Sequence, residues 1–210
     1  MFTGIIEEIG SLAKITRRGQ TLQLEINAAV VLNDIHLGDS VAVNGVCLTV
    51  TKFTRRTFSV DVMPVTYQDT SLAMLTMNAR LNLERAMAAN GRFGGHIVSG
   101  HVDGVGCIVN KTLVENAWLY RLEIPTELAK YCIPKGSIAV DGTSLTIVAT
   151  GSNWLSVSLI PHTQEKTVLG TQGVGARVNL ECDILAKFAT NVENFKPTLN
   201  HGFLQEHGFI

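Results

Sequence analysis

Apolar and polar residues alternate along much of this 210-residue chain, and this period-two pattern predicts β-strands with one buried face. The clearest alternating stretches are residues 22–27, 58–62 and 177–181. Turn motifs separate the stretches, at Arg18-Gly19, Asn44-Gly45, Asp141-Gly142 and residues 151–153. Many short strands within about 95 residues predict a small barrel or a sandwich, and closure of a barrel would remove exposed edges.

Helical patterns are few. A short helix is expected from Thr126 to Tyr131, with Thr126 as its N-cap and Glu127 in its first turn. A longer helix is expected from Ile184 to Phe195. Its apolar face consists of Leu185, Phe188, Ala189 and Val192. This face can pack onto the chain's own barrel or mediate oligomerisation, and the pattern leaves both open.

An internal repeat organises the chain. Residues 41–50 align with residues 138–147 at an offset of 97, with five of ten positions identical. Two further blocks align at the same offset with 11 of 21 positions identical, namely residues 58–72 over 155–169 and 79–84 over 176–181. Unrelated segments of this total length would share roughly two positions at ordinary amino-acid usage. The chain therefore contains two homologous copies of one structural unit.

The repeat also predicts the division into domains. The first strand aligns at a shifted offset of 100, with Thr3-Gly4-Ile5 over Asp103-Gly104-Val105. The expected units are residues 1–97 and 98–187, and residues 197–210 form an unmatched tail. We expect an all-β protein of two tandem homologous barrels followed by a C-terminal α-helix.

Composition excludes several classes of function. The chain has 17 Lys and Arg against 18 Asp and Glu, a net charge of −1, whereas nucleic-acid binding needs clustered basic residues. Apolar residues make up 46% and charged residues 17%, which is the opposite of a disordered composition. No apolar stretch approaches the roughly 18 residues of a membrane span, and Glu7 and Glu8 stand where a leader would be apolar. We expect a cytoplasmic protein that binds neither nucleic acid nor membranes.

The cysteines are the first candidate chemical groups. They form no CxxC pair, so reduced thiols are expected at Cys47, Cys107, Cys132 and Cys182. Cys47 aligns with Ser144, and Leu-Thr follows each. Cys47 can be a small buried residue, or a nucleophile or donor that lines a pocket at matched positions in both halves. Lys135 aligns with Gly38, so only the second half has a basic side chain at this position, which favours different chemical roles for the two halves.

The histidines are the second candidate groups. His96 and His101 lie among glycines, which let a ligand approach the backbone closely. Each can equally be a hydrogen-bonded structural imidazole. Their spacing of five places them on opposite faces of a strand, so no metal site is predicted. Residues 91–95 lack the GxGxxG spacing and the following helix of a phosphate loop.

Several motifs together resemble one family, the alpha-chain riboflavin synthases. They follow one another in order to about Asp183, as MFTGI at residues 1–5, VNGVCLTV at 43–50, GGH at 94–96, SGHVDG at 99–104, KGS at 135–137 and DGTSLT at 141–146. The resemblance implies two six-stranded Greek-key barrels, a trimerisation helix at residues 184–196 and a homotrimer. It also implies the dismutation of two 6,7-dimethyl-8-ribityllumazine molecules into riboflavin and 5-amino-6-ribitylaminouracil, without cofactor or metal, and a possible association with lumazine synthase.

The resemblance also implies site residues, in an active site between the N-terminal barrel of one subunit and the C-terminal barrel of its neighbour. The implied catalytic residues are Cys47, His101, Ser144, Lys135 and Asp141. The first pocket is expected to contain Thr3, Gly4, Ile5, Ile6, Cys47, Leu48, Thr49, Asp61, Val62, Met63, Pro64, Val65 and Thr66. The second is expected to contain Gly100, His101, Val102, Lys135, Ser144, Leu145, Thr146, Ser158, Leu159, Ile160, Pro161, His162 and Thr163.

Roles within this set are partly open. His101 is the best candidate for proton transfer, because an imidazole titrates near neutral pH. Cys47 and Ser144 can each be a nucleophile or can orient one. Val65 departs from the family, which usually has a glutamate there, so substrate binding in the first pocket is expected to change.

Two alternatives belong to other classes. Lumazine proteins share the fold and bind a lumazine or flavin without turnover, but their motifs degenerate at the cysteine, at the histidine segment and at the Asp-Gly-Ser-Leu-Thr stretch. The corresponding motifs around Cys47, His101 and Ser144 are present here, which favours catalysis. A flavin-binding reductase barrel would need a nucleotide-binding domain, for which 210 residues leave no room.

Overall fold

The computed structural model describes residues 1–19, 21–194 and 201–209, and its strands form two closed antiparallel barrels of six strands each. The first barrel contains β1 (Glu8–Arg18), β2 (Thr21–Asn27), β3 (Ser40–Val43), β4 (Val46–Phe53), β5 (Thr57–Val62) and β6 (Arg80–Arg85). The second contains β7 (Gly104–Val114), β8 (Ala117–Glu123), β9 (Ser137–Val140), β10 (Thr143–Thr150), β11 (Trp154–Leu159) and β12 (Arg177–Cys182). The predicted all-β double barrel is confirmed.

The two barrels have the same strand order. Hydrogen bonds connect the first as β1-β2-β5-β4-β3-β6, and the second pairs the equivalent strands β7 to β12 in the same way. Alternate side chains point inwards, as Leu24 and Ile26 do on β2. The alternation seen in the sequence therefore separates an apolar barrel interior from a polar outer face.

Helical segments connect and follow the barrels. They are α1 (Pro64–Gln68), α2 (Pro161–Lys166), α3 (Ile184–Asn194), α4 (His201–Glu206) and 3-10 turns at Ser71–Met74, Thr126–Tyr131 and Val168–Thr171. Among the described residues, no helix is long and apolar enough to cross a membrane. The pattern did not predict α1 and α2, although each has a proline at its first turn, a frequent start signal.

Two helix predictions are corrected in detail. The segment Thr126–Tyr131 is a 3-10 helix whose N-cap is Pro125, with no side-chain cap bond, so Thr126 is its first helical residue and not the cap. The longer helix begins at Ile184 as predicted. Its predicted end at residue 195 or 196 and the first tail residues, 197–200, lie outside the described residues.

The barrels meet through two equivalent hairpin turns. Asn44-Gly45 and Asp141-Gly142 both have positive φ at both positions, the conformation of a two-residue type I′ hairpin. A Cβ atom on Gly45 would lie 2.6 Å from the backbone nitrogen of Gly142. Glycine is therefore required where the two turns cross.

Two buried asparagines join the barrels around these turns. The Asn82 amide donates to the Asp141 carbonyl at 2.8 Å, and its oxygen accepts from the Val168 amide at 2.8 Å. Asn179 makes the two equivalent bonds from the second barrel to the first. Its side-chain amide donates to the Asn44 carbonyl, and its side-chain oxygen accepts from the Ser71 amide. Because buried amides must be fully paired, these bonds specify one relative placement of the barrels.

An extended arm precedes each barrel, residues 2–6 (the first arm) and residues 98–102 (the second arm). The arms pair with each other, since the Phe2 amide donates to the Val98 carbonyl at 2.7 Å and the Val98 amide donates to the Phe2 carbonyl at 3.1 Å. Glu8 pairs with Leu83 and Gly104 pairs with Leu180. The arms and first strands therefore repeat at an offset of 96, and the sequence alignment at 100 is wrong by four residues.

Candidate functional site

Cys47 and Ser144 occupy equivalent positions at the start of β4 and β10, and each contacts an arm. The Cys47 amide donates to the Gly100 carbonyl at 2.9 Å, and the Ser144 amide donates to the Gly4 carbonyl at 2.8 Å. Both side chains are partly exposed. We call the surface around Cys47 and the second arm the first half-site, and the surface around Ser144 and the first arm the second half-site.

This pairing corrects the expected grouping of the residues. The resemblance placed residues 3–6 with Cys47 and residues 100–102 with Ser144, but each arm crosses to the other barrel. Val102 packs against the core of the first barrel. Ile5 lies against Gly94, beside the residues that cover Ser144. The exchange could not be seen in a linear alignment, because it depends on how the arms pair.

Glycine makes both crossings possible. Gly4 has φ +77° and Gly100 has φ +83°, a region that side chains disfavour. A Cβ atom on Gly4 would lie 2.6 Å from Ser144 Cβ, and one on Gly100 would lie 2.5 Å from Cys47 Cβ. Any larger residue would push the arm away from the thiol or hydroxyl.

A buried glutamate anchors each arm. Glu84 accepts from the Thr3 amide at 2.7 Å, the Thr3 hydroxyl at 2.9 Å and the Gly4 amide at 3.0 Å. Glu181 accepts in the same way from the amide and hydroxyl of Ser99 and from the Gly100 amide, at 2.6, 2.6 and 2.9 Å. Burial raises the pKa of Glu84, although these bonds oppose the shift. Neither glutamate was singled out in the sequence, although both lie in the repeated block at residues 79–84 and 176–181.

The second half-site contains a histidine in contact with Ser144. His96 Nδ1 lies 2.7 Å from Ser144 Oγ, and the residue is only 9% exposed. Burial lowers the pKa of His96, and the nearby acidic groups Asp183 and Glu181 oppose the shift. A neutral imidazole in this position can accept the hydroxyl proton of Ser144. The sequence left His96 as a structural imidazole or a ligand-site residue, and its signals were its glycine neighbours and the GGH motif of the resemblance.

The other predicted residues of the first half-site follow β4, β5 and α1. Thr49 pairs with Ser40, and Asp61 accepts from Gln23 Nε2 at 2.9 Å. Thr49 and Asp61 lie on the polar outer face, while Leu48 and Val62 point into the barrel. The exposed members at the end of β5 are Met63 and Val65. A groove of about 450 Å³ continues from Asp61 across the outer faces of β1, β2, β5 and β4.

The second half-site has the matching arrangement on β10, β11 and α2. Thr146 and Ser158 are exposed, whereas Leu145 and Leu159 are buried in the barrel. Ile160, Pro161 and His162 are exposed around the start of α2, with Thr163 half-buried. The buried members of both half-sites can offer a ligand only their backbone groups.

Lys135 and His101 differ between the halves. Lys135 is exposed and has φ +68°, and its counterpart Gly38 has φ +90°, so the loop conformation is shared while only the second half carries an ammonium group. His101 is exposed on the second arm, where the first arm has Ile5. The structure therefore places His101 at the first half-site, next in the chain to Gly100, whose carbonyl accepts from the Cys47 amide.

Asp141 does not belong to either surface. It is 0% exposed, and it accepts from the Asn179 amide at 2.8 Å and from Gln172 Nε2 at 3.0 Å. Complete burial raises its pKa to about 7. The implied catalytic role of Asp141 is therefore corrected to a structural one, because a carboxyl enclosed between the barrels cannot touch a substrate. Within residues 1–19, 21–194 and 201–209, no cluster of three or more potential metal ligands occurs.

Comparison with known proteins agrees with this double arrangement. The family model of the lumazine binding domain matches twice, at residues 3–86 and 99–183. The riboflavin synthases of Actinobacillus pleuropneumoniae and Bacillus subtilis (strain 168) are 50% and 48% identical to this chain, over 100% of both chains in each case. The chain belongs to the riboflavin synthase family. The riboflavin synthase of Mycobacterium tuberculosis is 46% identical over 90% of this chain and 96% of its own length.

Solved structures place the fold of this riboflavin synthase family member among lumazine-binding double barrels. The crystal structure of LumP complexed with riboflavin superposes with a TM-score of 0.80, at 24% identity, over 87% of this chain and 99% of that chain. LumP complexed with 6,7-dimethyl-8-(1'-D-ribityl) lumazine gives a TM-score of 0.78 at the same identity and coverage. At this identity the likeness describes the fold alone.

Proposed function

We propose that the chain catalyses the dismutation of two 6,7-dimethyl-8-ribityllumazine molecules into riboflavin and 5-amino-6-ribitylaminouracil. The observation that carries the proposal is the pair of half-sites, which are equivalent in backbone but different in chemistry. Such a pair suits two copies of one substrate with different roles. A four-carbon unit moves from one lumazine to the other, so atoms balance without an oxidant, and no cofactor or metal is needed.

Proton transfer is the first task of the half-sites. One lumazine must lose a proton from its C7 methyl group, and the other must accept a nucleophile at C7. In the second half-site, His96 can accept a proton through Ser144 Oγ, because the two atoms are 2.7 Å apart. In the first half-site, the proposed groups are the thiol of Cys47 and the exposed imidazole of His101. The ammonium of Lys135 would attract an anionic lumazine at the second half-site.

Substrate binding uses the remaining exposed groups and backbone. The first half-site is proposed to bind one lumazine with Thr49, residues 61–66 and Val102, and the polar groove beyond Asp61 suits a ribityl chain. The second is proposed to bind the other with Thr146, residues 158–163 and the backbone of residues 3–6. Holding two rings in reactive register replaces an improbable encounter with a local step.

We propose a homotrimer in which the first half-site of one subunit faces the second half-site of its neighbour. This arrangement would bring two lumazines into one active site. The apolar face of α3 supports it, because Leu185 is 63% and Phe188 is 67% exposed, and neither packs onto the chain's own barrel. The domains are proposed as residues 1–97 and 98–187, with a trimerisation helix at 184–196. A cytoplasmic location and an association with lumazine synthase complete the proposal.

The alternative is a protein that binds a lumazine or flavin without turnover. LumP, which shares the fold, was solved with such ligands. Incubation of the purified protein with 6,7-dimethyl-8-ribityllumazine separates the two. Riboflavin should accumulate at one molecule for every two lumazines consumed, and a chain that holds lumazine unchanged would overturn the enzyme proposal.

A further inference from the structure

Two cysteines outside both half-sites lie together in the core of the second barrel. Cys132 directly follows the 3-10 helix Thr126–Tyr131, and Cys182 is the last residue of β12 before α3. They belong to one apolar cluster, and they are 5% and 1% exposed. The 3-10 helix and α3 pack against each other, and the thiols are close enough for each to shift the pKa of the other. The Cys132 thiol in turn lies 3.4 Å from the Leu128 carbonyl, to which it donates.

The repeat shows that the fold does not require these thiols. At an offset of 97 the counterparts of Cys132 and Cys182 are Ile35 and Arg85. Ile35 and Arg85 both line one cavity beside the first barrel. There, Arg85 pairs with Glu7 and Asp34, and the barrel closes without a thiol at either position. Only the second half therefore places sulfur at both positions.

The neighbouring groups hold Cys182 in place and make the two thiols unequal. Asp103 accepts from the Cys182 amide at 2.8 Å and from Lys187 Nζ at 2.8 Å. The interaction with the Cys182 thiol lowers the pKa of Cys132, although burial opposes the shift. The same interaction together with burial raises the pKa of Cys182. Cys132 is therefore the better nucleophile, and Cys182 is the thiol that follows it.

We propose that Cys132 and Cys182 are a redox pair that forms a reversible disulfide with a peroxide as oxidant. The Cys132 thiolate attacks one peroxide oxygen, the O–O bond breaks, and a sulfenic acid and hydroxide form. The Cys182 sulfur then attacks the Cys132 sulfur, the S–O bond breaks, and water leaves with the Cys182 proton. In total, two thiols and one hydrogen peroxide give one disulfide and two waters. A thiol reductant reverses the bridge.

The bridge would tie the start of α3 to the 3-10 helix that packs beside it. It closes a loop of roughly 50 residues, a constraint that acts mainly on the unfolded chain. The oxidised protein should therefore melt at a higher temperature than the reduced protein. Oxidation should be slow compared with that of an exposed thiol, because both sulfurs are covered and the short helix must open first.

The test uses the full chain, reduced, desalted and treated with graded hydrogen peroxide. Remaining thiols are alkylated in denaturant, and peptides are mapped by mass spectrometry without reduction. We expect a linked pair of peptides containing Cys132 and Cys182, with the loss of two hydrogen atoms, and no link that involves Cys47 or Cys107. Dithiothreitol should remove the link.

Cysteine-to-serine variants give the controls. Cys132→Ser and Cys182→Ser should abolish both the link and the oxidation-dependent rise in Tm. Cys107→Ser is the matched control, because Cys107 is a partly exposed thiol of the same barrel, and it should leave the link unchanged. The wild-type peptide map decides the matter even if a variant fails to fold. The proposal is overturned if Cys132 and Cys182 remain alkylatable after peroxide treatment, or if they link only in denaturant.

Discussion

His96 Nδ1 lies 2.7 Å from Ser144 Oγ, which joins a residue of the connection between the barrels to the second half-site. The contact is enclosed by a tight crossing. A Cβ atom on Gly95 would lie 2.1 Å from the Thr3 carbonyl and 2.9 Å from Ser144 Oγ. The first arm, the connection and β10 therefore fix the serine and histidine in one arrangement.

If His96 accepts the proton of Ser144, His96→Asn should lower kcat by about 100-fold. The asparagine amide can keep a hydrogen bond to Ser144 Oγ but cannot take up a proton. Because the pKa of His96 is lowered, the neutral form prevails down to its folded pKa, and wild-type activity should fall only below about pH 6.5. This acidic limb should disappear in the variant. Full kcat in His96→Asn would show that the histidine only positions Ser144, and Ser144→Ala is the companion variant.

The first half-site is tested by Cys47→Ala and His101→Ala. Each should slow turnover by roughly 10- to 100-fold, because a proton-transfer or pocket-lining group is lost while the barrel interior is untouched. The matched control is Cys107→Ala, which removes another partly exposed thiol on the second barrel. Steady-state kinetics and circular dichroism are the measurements. Unchanged rates in both site variants would contradict the proposed roles.

The two arm anchors predict a pair of opposite effects. Glu84→Gln removes one acceptor oxygen and places an amide donor against the Gly4 or Thr3 amide, at a cost of about 1–3 kcal/mol. Hydrogen exchange should rise in the first arm, next to Ser144, and the second arm should be less affected. Glu181→Gln should give the reverse pattern, next to Cys47. Equal exchange in both arms for either variant would show that the anchors are not independent.

The buried carboxyl of Asp141 predicts a pH dependence of stability. Its folded pKa of about 7 lies above the unfolded value of about 3.9. Between these values the folded protein keeps a proton that the unfolded chain has lost. Its contribution to the free energy of unfolding is therefore greatest below about pH 4, falls as the pH rises to about 7, and then stays level.

The variant Asp141→Asn should remove this slope. Asparagine fits the turn, because Asn44 has the same φ of 45° in the equivalent hairpin. Between about pH 5 and pH 8, the free energy of unfolding of the wild type should fall by on the order of 2–4 kcal/mol relative to that of the variant. Urea unfolding at both pH values measures the difference. Parallel stabilities at the two values would mean that the carboxyl does not titrate in this range.

The departure at Val65 gives a gain-of-binding prediction. Val65 is 60% exposed in the first turn of α1, so a carboxylate there meets solvent and ligand without a burial cost. Val65→Glu should tighten lumazine binding in the first half-site by several-fold, as a lower KM with little change in kcat. Val65→Gln is the neutral control. An unchanged KM would show that the carboxylate is dispensable in this chain.

The sequence by itself determined the two barrels. Alternation separates the two faces of each strand, and the repeat at an offset of 97 residues indicates that both halves adopt the same fold. It also determined that Cys47 and Ser144 are equivalent, since aligned residues of a repeat take equivalent places. The hairpins at Asn44-Gly45 and Asp141-Gly142 were visible because positive φ leaves few residue choices.

Only the tertiary structure decided which residues form each half-site. The arms carry no strand pattern, and their shifted offset hides their partners, so the exchange that brings Gly4 to Ser144 and Gly100 to Cys47 depends on pairing across the two barrels. The resemblance implied that Asp141 is a catalytic residue, yet the contact between the turns encloses it. Linear neighbours on a strand point to opposite faces, and only the closed barrels decide which face meets solvent.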